Sequence, residues 1–564
     1  MSINIFYHSL YYFLIPISTV GYGLLLLYLG NNKKVEDNLG YSGLFGIFFL
    51  IAYSYLTHIF FPHGKTHNLI LIIIGSFFFI FFSIVKIKNF KKEILLFLIV
   101  FITLYIGSFI YKAHDDFPYY HFSYSYHLTQ NEIIAGIGKL NHGYRTPSSI
   151  FYLNSLFYLP GASFYLFHIP AIMIMGFANI ILLSKIIKSI QLKKINFLSY
   201  YCLLAFMFIN IFFYRFGEHG TDRSAQILIF LIVMEIIIFL NYRLSYRVSI
   251  SLILMLMAII TSLKAFYILY FIFLIPIFIE ILKKNNFKNS FLLLTGNIYF
   301  IFFSIIIFFI FFNSLVNTGC LLYPIKITCI NSFEWGIPLA EVQLMNDWYE
   351  QWSKGGAAPN FRIDNSEVYI QYFNWVPNWI NIYFFNKVSD FLLGIIFLVI
   401  FLLLIFRSKN KVKHNNKINL NLIYALILIL LFEWFYNHPA LRYGGYVLIC
   451  LTIFIPTAKK IEEYKNTNYL NSKKIYVLIG LAFIIFVGRN IVRIDKEIEQ
   501  YHYKPLKNVY YNVDENYFRI TEQFSKLKQK YENCVIISYN CQETSISNII
   551  IKKKFGKYIL INKK

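Results

Sequence analysis

An all-α polytopic membrane fold with about fourteen transmembrane helices is predicted by three observations. Of 564 residues, 58% are hydrophobic and only 14% are charged, whereas an ordinary soluble domain carries about a quarter charged residues. Apolar runs such as Leu69 to Ile87, Glu93 to Tyr111 and Phe291 to Phe312 are each long enough to cross roughly 30 Å of hydrocarbon. The connections between these runs alternate in charge. A soluble globule is excluded.

Taken in order, the predicted spans lie near residues 9–29, 43–61, 68–86, 93–111, 163–184, 196–214, 224–241, 246–262, 265–282, 291–313, 387–406, 418–436, 443–457 and 475–492. One set of connections holds Lys33 and Lys34, Lys86 to Lys92, Lys185 to Lys194, Arg243 and Arg247, Lys283 to Lys288, Arg407 to Lys417, and Lys459 to Lys474. Basic residues are retained in the cytoplasm during insertion, so this set is expected inside. The other set contains Asp115 and Asp116, Glu218 and Asp222, the 314–385 segment and the His438 to Arg442 turn, and is expected to face outward. Both termini then lie outside the cytoplasm. The net charge of +24 is explained as a topology signal; nucleic-acid binding is not expected, because no basic segment accompanies a nucleic-acid fold. The start of the chain lacks the charged end, short apolar core and small-residue site of a cleaved signal, so residues 9–29 are expected to stay as a span.

This reading divides the chain into a polytopic domain, 1–494, with outer loops 112–162 and 314–386, and a small extracytoplasmic α/β region, 495–564. The first part of that region is expected to hold a helix near Glu515 to Tyr531 and a strand at Val535 to Ser538. Trp335, Trp348, Trp352, Trp375 and Trp379 in the long loop predict short helices at the membrane surface. Of six cysteines, Cys202 and Cys450 fall in spans. Cys320 with Cys329, and Cys534 with Cys541, are expected to form two local disulfides in an oxidising compartment.

The chemistry-bearing residues cluster in the outward set. His114-Asp115-Asp116 and His121 sit where the fourth span emerges; an adjacent carboxylate pair can take a proton from a hydroxyl or bind a divalent ion. Lys139 and Arg145 follow in a glycine-rich basic stretch of the same loop. A second loop carries Glu218, His219 and Asp222, the last also a natural helix cap. Lys264 and Arg442 are isolated cations on that side, suited together to a phosphate leaving group, although either alone can snorkel to the interface. Glu433, at the end of an apolar span, is expected to pair with Arg442 or else to reach the interface. His121, His127 and His142 lack zinc-ligand spacing, so no cofactor is certain and a divalent cation is the one considered.

An early acidic outer loop, a second acidic loop, a long outer segment and a late arginine make a layout that resembles the GT-C superfamily of membrane glycosyltransferases. More closely, Asp116 to Ser149, Asn317 to Pro324 and His438 to Tyr443 resemble a set of poorly characterised bacterial polytopic proteins of similar layout. The resemblance implies a GT-C-like enzyme of the bacterial cytoplasmic membrane. Its donor would be a polyprenyl-phosphate sugar and its acceptor a cell-surface glycan or lipid-linked molecule. It implies Asp115 or Asp116 as general base, Glu218 or Asp222 orienting the acceptor, and Lys264 with Arg442 neutralising the departing phosphate. Here the acidic loop follows the fourth span, whereas many members carry it after the first; added N-terminal spans would account for this departure, on which the assignment of the base depends. Two competing readings are a polymerase or ligase of lipid-linked polysaccharide and a non-enzymatic transporter or flippase, which would place polar groups nearer the bilayer midplane.

Overall fold

The computed structural model describes the chain except residues 1–4, 32–34, 36–37, 86, 219, 243–245, 284–285, 297, 358–364, 409–419, 465–467, 508–510, 512, 538–548 and 564. The fold is mostly helical, with a small two-stranded sheet at the C-terminal end. Among the described residues nine helices are long and apolar enough to span a bilayer: Ile5–Leu29, Leu39–His58, Lys65–Val85, Phe164–Gln191, Asp222–Leu240, Ala265–Leu282, Ile298–Thr318, Val376–Phe406 and Asn471–Tyr501. Each falls on a span predicted from sequence. The remaining expected spans coincide with shorter apolar helices, Phe197–Phe212, Val248–Leu263 and Asn421–Asn437, and with Ile87–Tyr105 and Gly445–Glu462, whose ends carry lysines.

The outward faces of the peripheral helices identify the surrounding medium. Phe77 is 62% exposed, Phe397 73% and Ile484 69%, and their neighbours along the same helices are equally apolar. In water such continuous apolar belts would drive aggregation, whereas in lipid they are the stable surface. Phe164–Gln191 and Asp222–Leu240 form the buried centre of the bundle. Close approach of the first helices rests on glycine: a Cβ on Gly23 would collide with the Ser42 carbonyl, and one on Gly46 with the Thr19 carbonyl. Small residues of this kind let helix backbones meet where apolar burial gives no net attraction between them.

Beyond the helices, the long segment folds as expected into short helices, Leu339–Lys354 and Ser366–Ile370, before Val376–Trp379 leads into the next span. The Cys320–Cys329 disulfide closes its first loop. Cys541 lies outside the described residues, and with it the second expected pair. The last long helix runs from Asn468 to Tyr501, so the tail departs later than residue 495.

The tail corrects one expectation. Val535, Cys534 and Ile537 belong to the helix Arg519–Ile537 rather than to a strand, and Ser538 lies outside the described residues. A short apolar run does not by itself distinguish a strand from the end of a helix. The strands are instead Ile549–Lys554 and Lys557–Asn562, paired antiparallel. The second strand also reaches the first outer loop, where the Leu560 N–H donates to the Ala135 carbonyl at 2.9 Å and the Ala135 N–H to the Tyr558 carbonyl at 3.1 Å. Ile134, Phe524, Leu527, Ile551 and Leu560 close around this joint. Truncating the fully buried Leu560 to Ala is therefore expected to cost roughly 2–5 kcal/mol locally. Limited proteolysis of the 131–145 loop, faster in Leu560→Ala than in wild type, is the readout.

A second stability prediction concerns acid. His127, on the helix Phe122–Gln130, is 2% exposed and packs against Phe524 of the tail helix. Burial first, and the neighbouring His58 second, lower its pKa from 6.5 to about 3. The unfolded chain therefore binds a proton near pH 6.5 that the folded chain refuses until about pH 3. The neutral ring's contribution is complete above pH 6.5 and is lost progressively as pH falls toward 3. His127→Phe is expected to flatten the stability-versus-pH curve over that window by about 1.4 kcal/mol per pH unit, read from thermal melts between pH 7 and 4.

Candidate functional site: a charged cavity at one end of the bundle

Four separate stretches of chain deliver charge to one point. Asp116 lies in the turn after the helix Ile87–Tyr105, directly before a π-helical segment, Phe117–His121. The backbone N–H of His114 donates to the Gly217 carbonyl at 3.2 Å, which ties this turn to the second loop. Asp222 opens the helix Asp222–Tyr242, where a carboxylate is favoured by the unpaired N–H groups and the dipole. Lys264 ends the helix Tyr246–Leu263, with its backbone turned to an extended conformation. Arg442 stands in a short 3-10 turn, Leu441–Tyr443.

That last turn is held from every side. The Gln226 side chain donates to the Arg442 carbonyl and accepts from the Val447 N–H. Trp379 and Trp434 donate their indole N–H groups to the carbonyls of Pro439 and Ala440, and the Leu441 N–H donates to the Tyr383 hydroxyl. The long segment's aromatics therefore fix the loop that presents Arg442, beyond any role as an interfacial belt.

The resulting geometry is a chain of ion pairs. Lys264 Nζ is 2.5 Å from Asp222 Oδ1, Arg442 Nε is 3.2 Å from Asp222 Oδ2, and Arg442 Nη1 is 3.8 Å from Asp116 Oδ2. His114 Nδ1 lies 3.5 Å from the same Asp116 oxygen. The Arg442 guanidinium is 5.1 Å from the centre of the Trp352 ring, and Lys264 Nζ is 4.1 Å from that of Tyr443, so both cations rest on aromatic faces. Both Asp222 oxygens are engaged by cations and its side chain is 12% exposed, whereas that of Asp116 is 34% exposed. Asp222 thus holds cations in place, and Asp116 keeps the accessible carboxylate. The Arg442 pKa is raised above its usual value: burial pushes it down, but Tyr443, Asp222, Tyr120 and Asp116 outweigh that.

Asp116, Asp222 and Arg442 line a cavity of about 110 Å³ together with His114, His121, His168, Asn154, Arg223 and the rings of Phe117, Phe151 and Phe167. His121, expected from the sequence, is among them. Asp115 is exposed and outside the lining. Gly217 and Gly220 of the second loop contribute to the wall; the Glu218 backbone is part of the 3-10 turn Phe216–Glu218, and His219 lies outside the described residues.

Lys139 and Arg145 are placed elsewhere. Lys139 donates to the Gly336 carbonyl at 2.8 Å, and burial lowers its pKa to about 8. Arg145, 4% exposed, donates to the Gly138 carbonyl, the Tyr323 hydroxyl and Glu341 Oε1, the last at 2.6 Å. Both residues clasp the first outer loop to the long segment. The expected Glu433–Arg442 pair is also corrected: Glu433 accepts from Asn437 one helical turn away, and Arg442 takes Asp222 and Asp116. Among the described residues no group of three or more His, Cys, Asp and Glu side chains could hold a metal ion.

Sequence reasoning missed His168, Asn154 and Arg223. His168 precedes Ile169-Pro170 at the head of a buried helix, and Asn154 sits within the short helix Ser149–Leu156; the first is hidden in an expected span and the second in the apolar end of the first outer loop. Arg223 adjoins Asp222, and its place beside a carboxylate at a span end was the available signal.

The fold and the cavity define a helical membrane protein with an ion-paired polar site at one end of its bundle. The chain belongs to a family of unknown function, DUF8201, whose profile matches residues 5–449, a stretch that contains Asp116, Asp222, Lys264 and Arg442. No curated protein and no solved structure matches the chain.

Proposed function

We propose that the protein is a GT-C-like membrane glycosyltransferase that moves a sugar from a polyprenyl-phosphate donor to a cell-surface glycan or lipid-linked acceptor. It works at the outer face of the bacterial cytoplasmic membrane. The observation that carries this reading is the chain of ion pairs among Asp116, Asp222, Lys264 and Arg442, from four distant segments, three of which, Asp116, Asp222 and Arg442, line one cavity at the end of the bundle. In this reading the three shorter apolar helices also cross, together with Ile87–Tyr105 and Gly445–Glu462, giving about fourteen spans, and both termini are extracytoplasmic.

The chemistry follows from the charges. Asp116 accepts the proton of an acceptor hydroxyl while the acceptor oxygen bonds to the anomeric carbon and the anomeric carbon–phosphate oxygen bond breaks. Polyprenyl phosphate departs carrying the bonding pair. The two carboxylates and two cations balance at rest. Protonation of Asp116 removes one carboxylate from Arg442 as negative charge grows on the phosphate, so the cation becomes available when it is needed. Asp222 keeps Lys264 and Arg442 oriented throughout, a preorganised arrangement that needs little rearrangement during transfer.

The transporter reading has less support. Its expected signature is polar groups at the bilayer midplane, whereas the charged groups Asp116, Asp222 and Arg442 sit at helix ends and in turns. Glu235, buried within a span, is engaged by the Tyr41 hydroxyl and lies 3.7 Å from Lys185. The test is transfer of radiolabelled sugar from polyprenyl-phosphate donors by the protein in proteoliposomes: label is expected to leave the lipid and enter a polar acceptor. Solute passage without chemical change would favour the transporter.

A further inference from the structure

The charged mouth does not use the inner wall of the cavity. There His168, 5% exposed, and Asn154, 3% exposed, stand with His121 among Phe117, Phe151 and Phe167. Both ring nitrogens of His168, Nε2 of His121 and Oδ1 of Asn154 are buried and meet no hydrogen-bonding protein partner among the described residues. The ring of His168 is 4.3 Å from that of Phe117, and the ring of His121 is 5.1 Å from that of Phe151. Buried polar atoms are almost always satisfied, and leaving them unpaired is costly. Four such atoms, on three residues that line one cavity, point to a ligand that supplies their bonds.

The kind of ligand follows from protonation. Burial first, and the charge of Arg442 second, lower the pKa of His121 to about 3, so this ring is neutral at ordinary pH. A neutral imidazole offers one donor and one acceptor, and the Asn154 oxygen offers a further acceptor. An anion could use only the donors and a cation only the acceptors. A hydroxyl group uses both, and the aromatic walls match the C–H faces of a sugar ring.

We propose that His121, His168 and Asn154 form a neutral subsite that binds a hexopyranose by its hydroxyl groups, beside the phosphate-binding mouth. This deepens the transferase reading and rests on it for the fate of the sugar, while the binding itself is separately measurable. His121 and His168 are specificity-determining residues here, with no proton transfer assigned to them.

The experiment uses full-length protein, 15N-labelled at histidine, in phosphatidylcholine nanodiscs free of glycosidic detergent. It is titrated with methyl hexopyranosides and, separately, with inorganic phosphate. At least one hexoside is expected to shift the imidazole signals of His121 and His168. His121→Phe and His168→Phe are each expected to weaken its binding roughly threefold to tenfold, the loss of one or two neutral hydrogen bonds. Asn154→Leu gives an independent readout should a histidine variant fail to fold. Phosphate is expected to leave these signals in place. If no hexoside shifts them, or if phosphate shifts them and hexosides do not, the subsite is refuted. Hexoside binding without transfer would instead refute the catalytic reading and leave the subsite standing.

Discussion

Replacing Asp116 by Asn is expected to reduce sugar transfer by roughly 10²–10⁴-fold, the usual contribution of a positioned general base, while the protein folds and melts as before. The two halves of that statement have separate causes. Asn keeps the size and shape of the side chain but cannot accept the hydroxyl proton. The Asp116 side chain is one-third exposed and its contact with Arg442 is a 3.8 Å ion pair, a partly solvated interaction of small net worth. Loss of activity should therefore come without loss of fold. Asp115→Asn is the companion control: Asp115 is exposed and outside the cavity lining, so its substitution is expected to change transfer by less than about threefold, in keeping with an ordinary surface substitution. Thermal melts and transfer rates on the same preparations read both expectations.

Arg442→Gln is expected to lower transfer by roughly 10²–10³-fold, as seen when a preorganised stabiliser of developing negative charge is removed. Unlike the first substitution it should also destabilise the fold. Asp222 would lose the cation 3.2 Å from its Oδ2 while retaining Lys264 on Oδ1, and a nearly buried carboxylate oxygen left with less than its full pairing costs about 1–3 kcal/mol. Arg442→Lys restores the charge but not the planar fork that spans two carboxylates or two phosphate oxygens. It is expected to recover stability more fully than transfer. A variant set in which Arg442→Lys matched wild type in rate would show that charge alone is sufficient.

The parts of this arrangement that could be read from the chain are those that are expensive in lipid. Asp116, Asp222, Lys264 and Arg442 stand at the ends of apolar runs, where each charge is conspicuous because so few are tolerated nearby. The Cys320–Cys329 pair was legible because its partners are close in sequence. Lys139 and Arg145 were legible as cations but not as clasps: by residue type and loop they match a binding site, yet their partners, Gly336, Tyr323 and Glu341, come from a segment nearly two hundred positions away. The Ile549–Lys554 and Lys557–Asn562 hairpin was invisible for the same reason, since its anchor at Ala135 lies far back in the chain. His168 and Asn154 escaped notice because a polar residue inside an apolar stretch looks like a satisfied core group until its unpaired atoms are located in space.

Whether these charges act together on a sugar phosphate is decided by following one bond. Wild-type protein and the Asp116→Asn variant are reconstituted in liposomes with polyprenyl phosphate carrying labelled sugar and with a crude acceptor fraction, and release of free polyprenyl phosphate is measured against time. Wild type is expected to release it in step with label entering the acceptor, and the variant at least about a hundredfold more slowly, the lower range for a general base. Equal release by both proteins would contradict this.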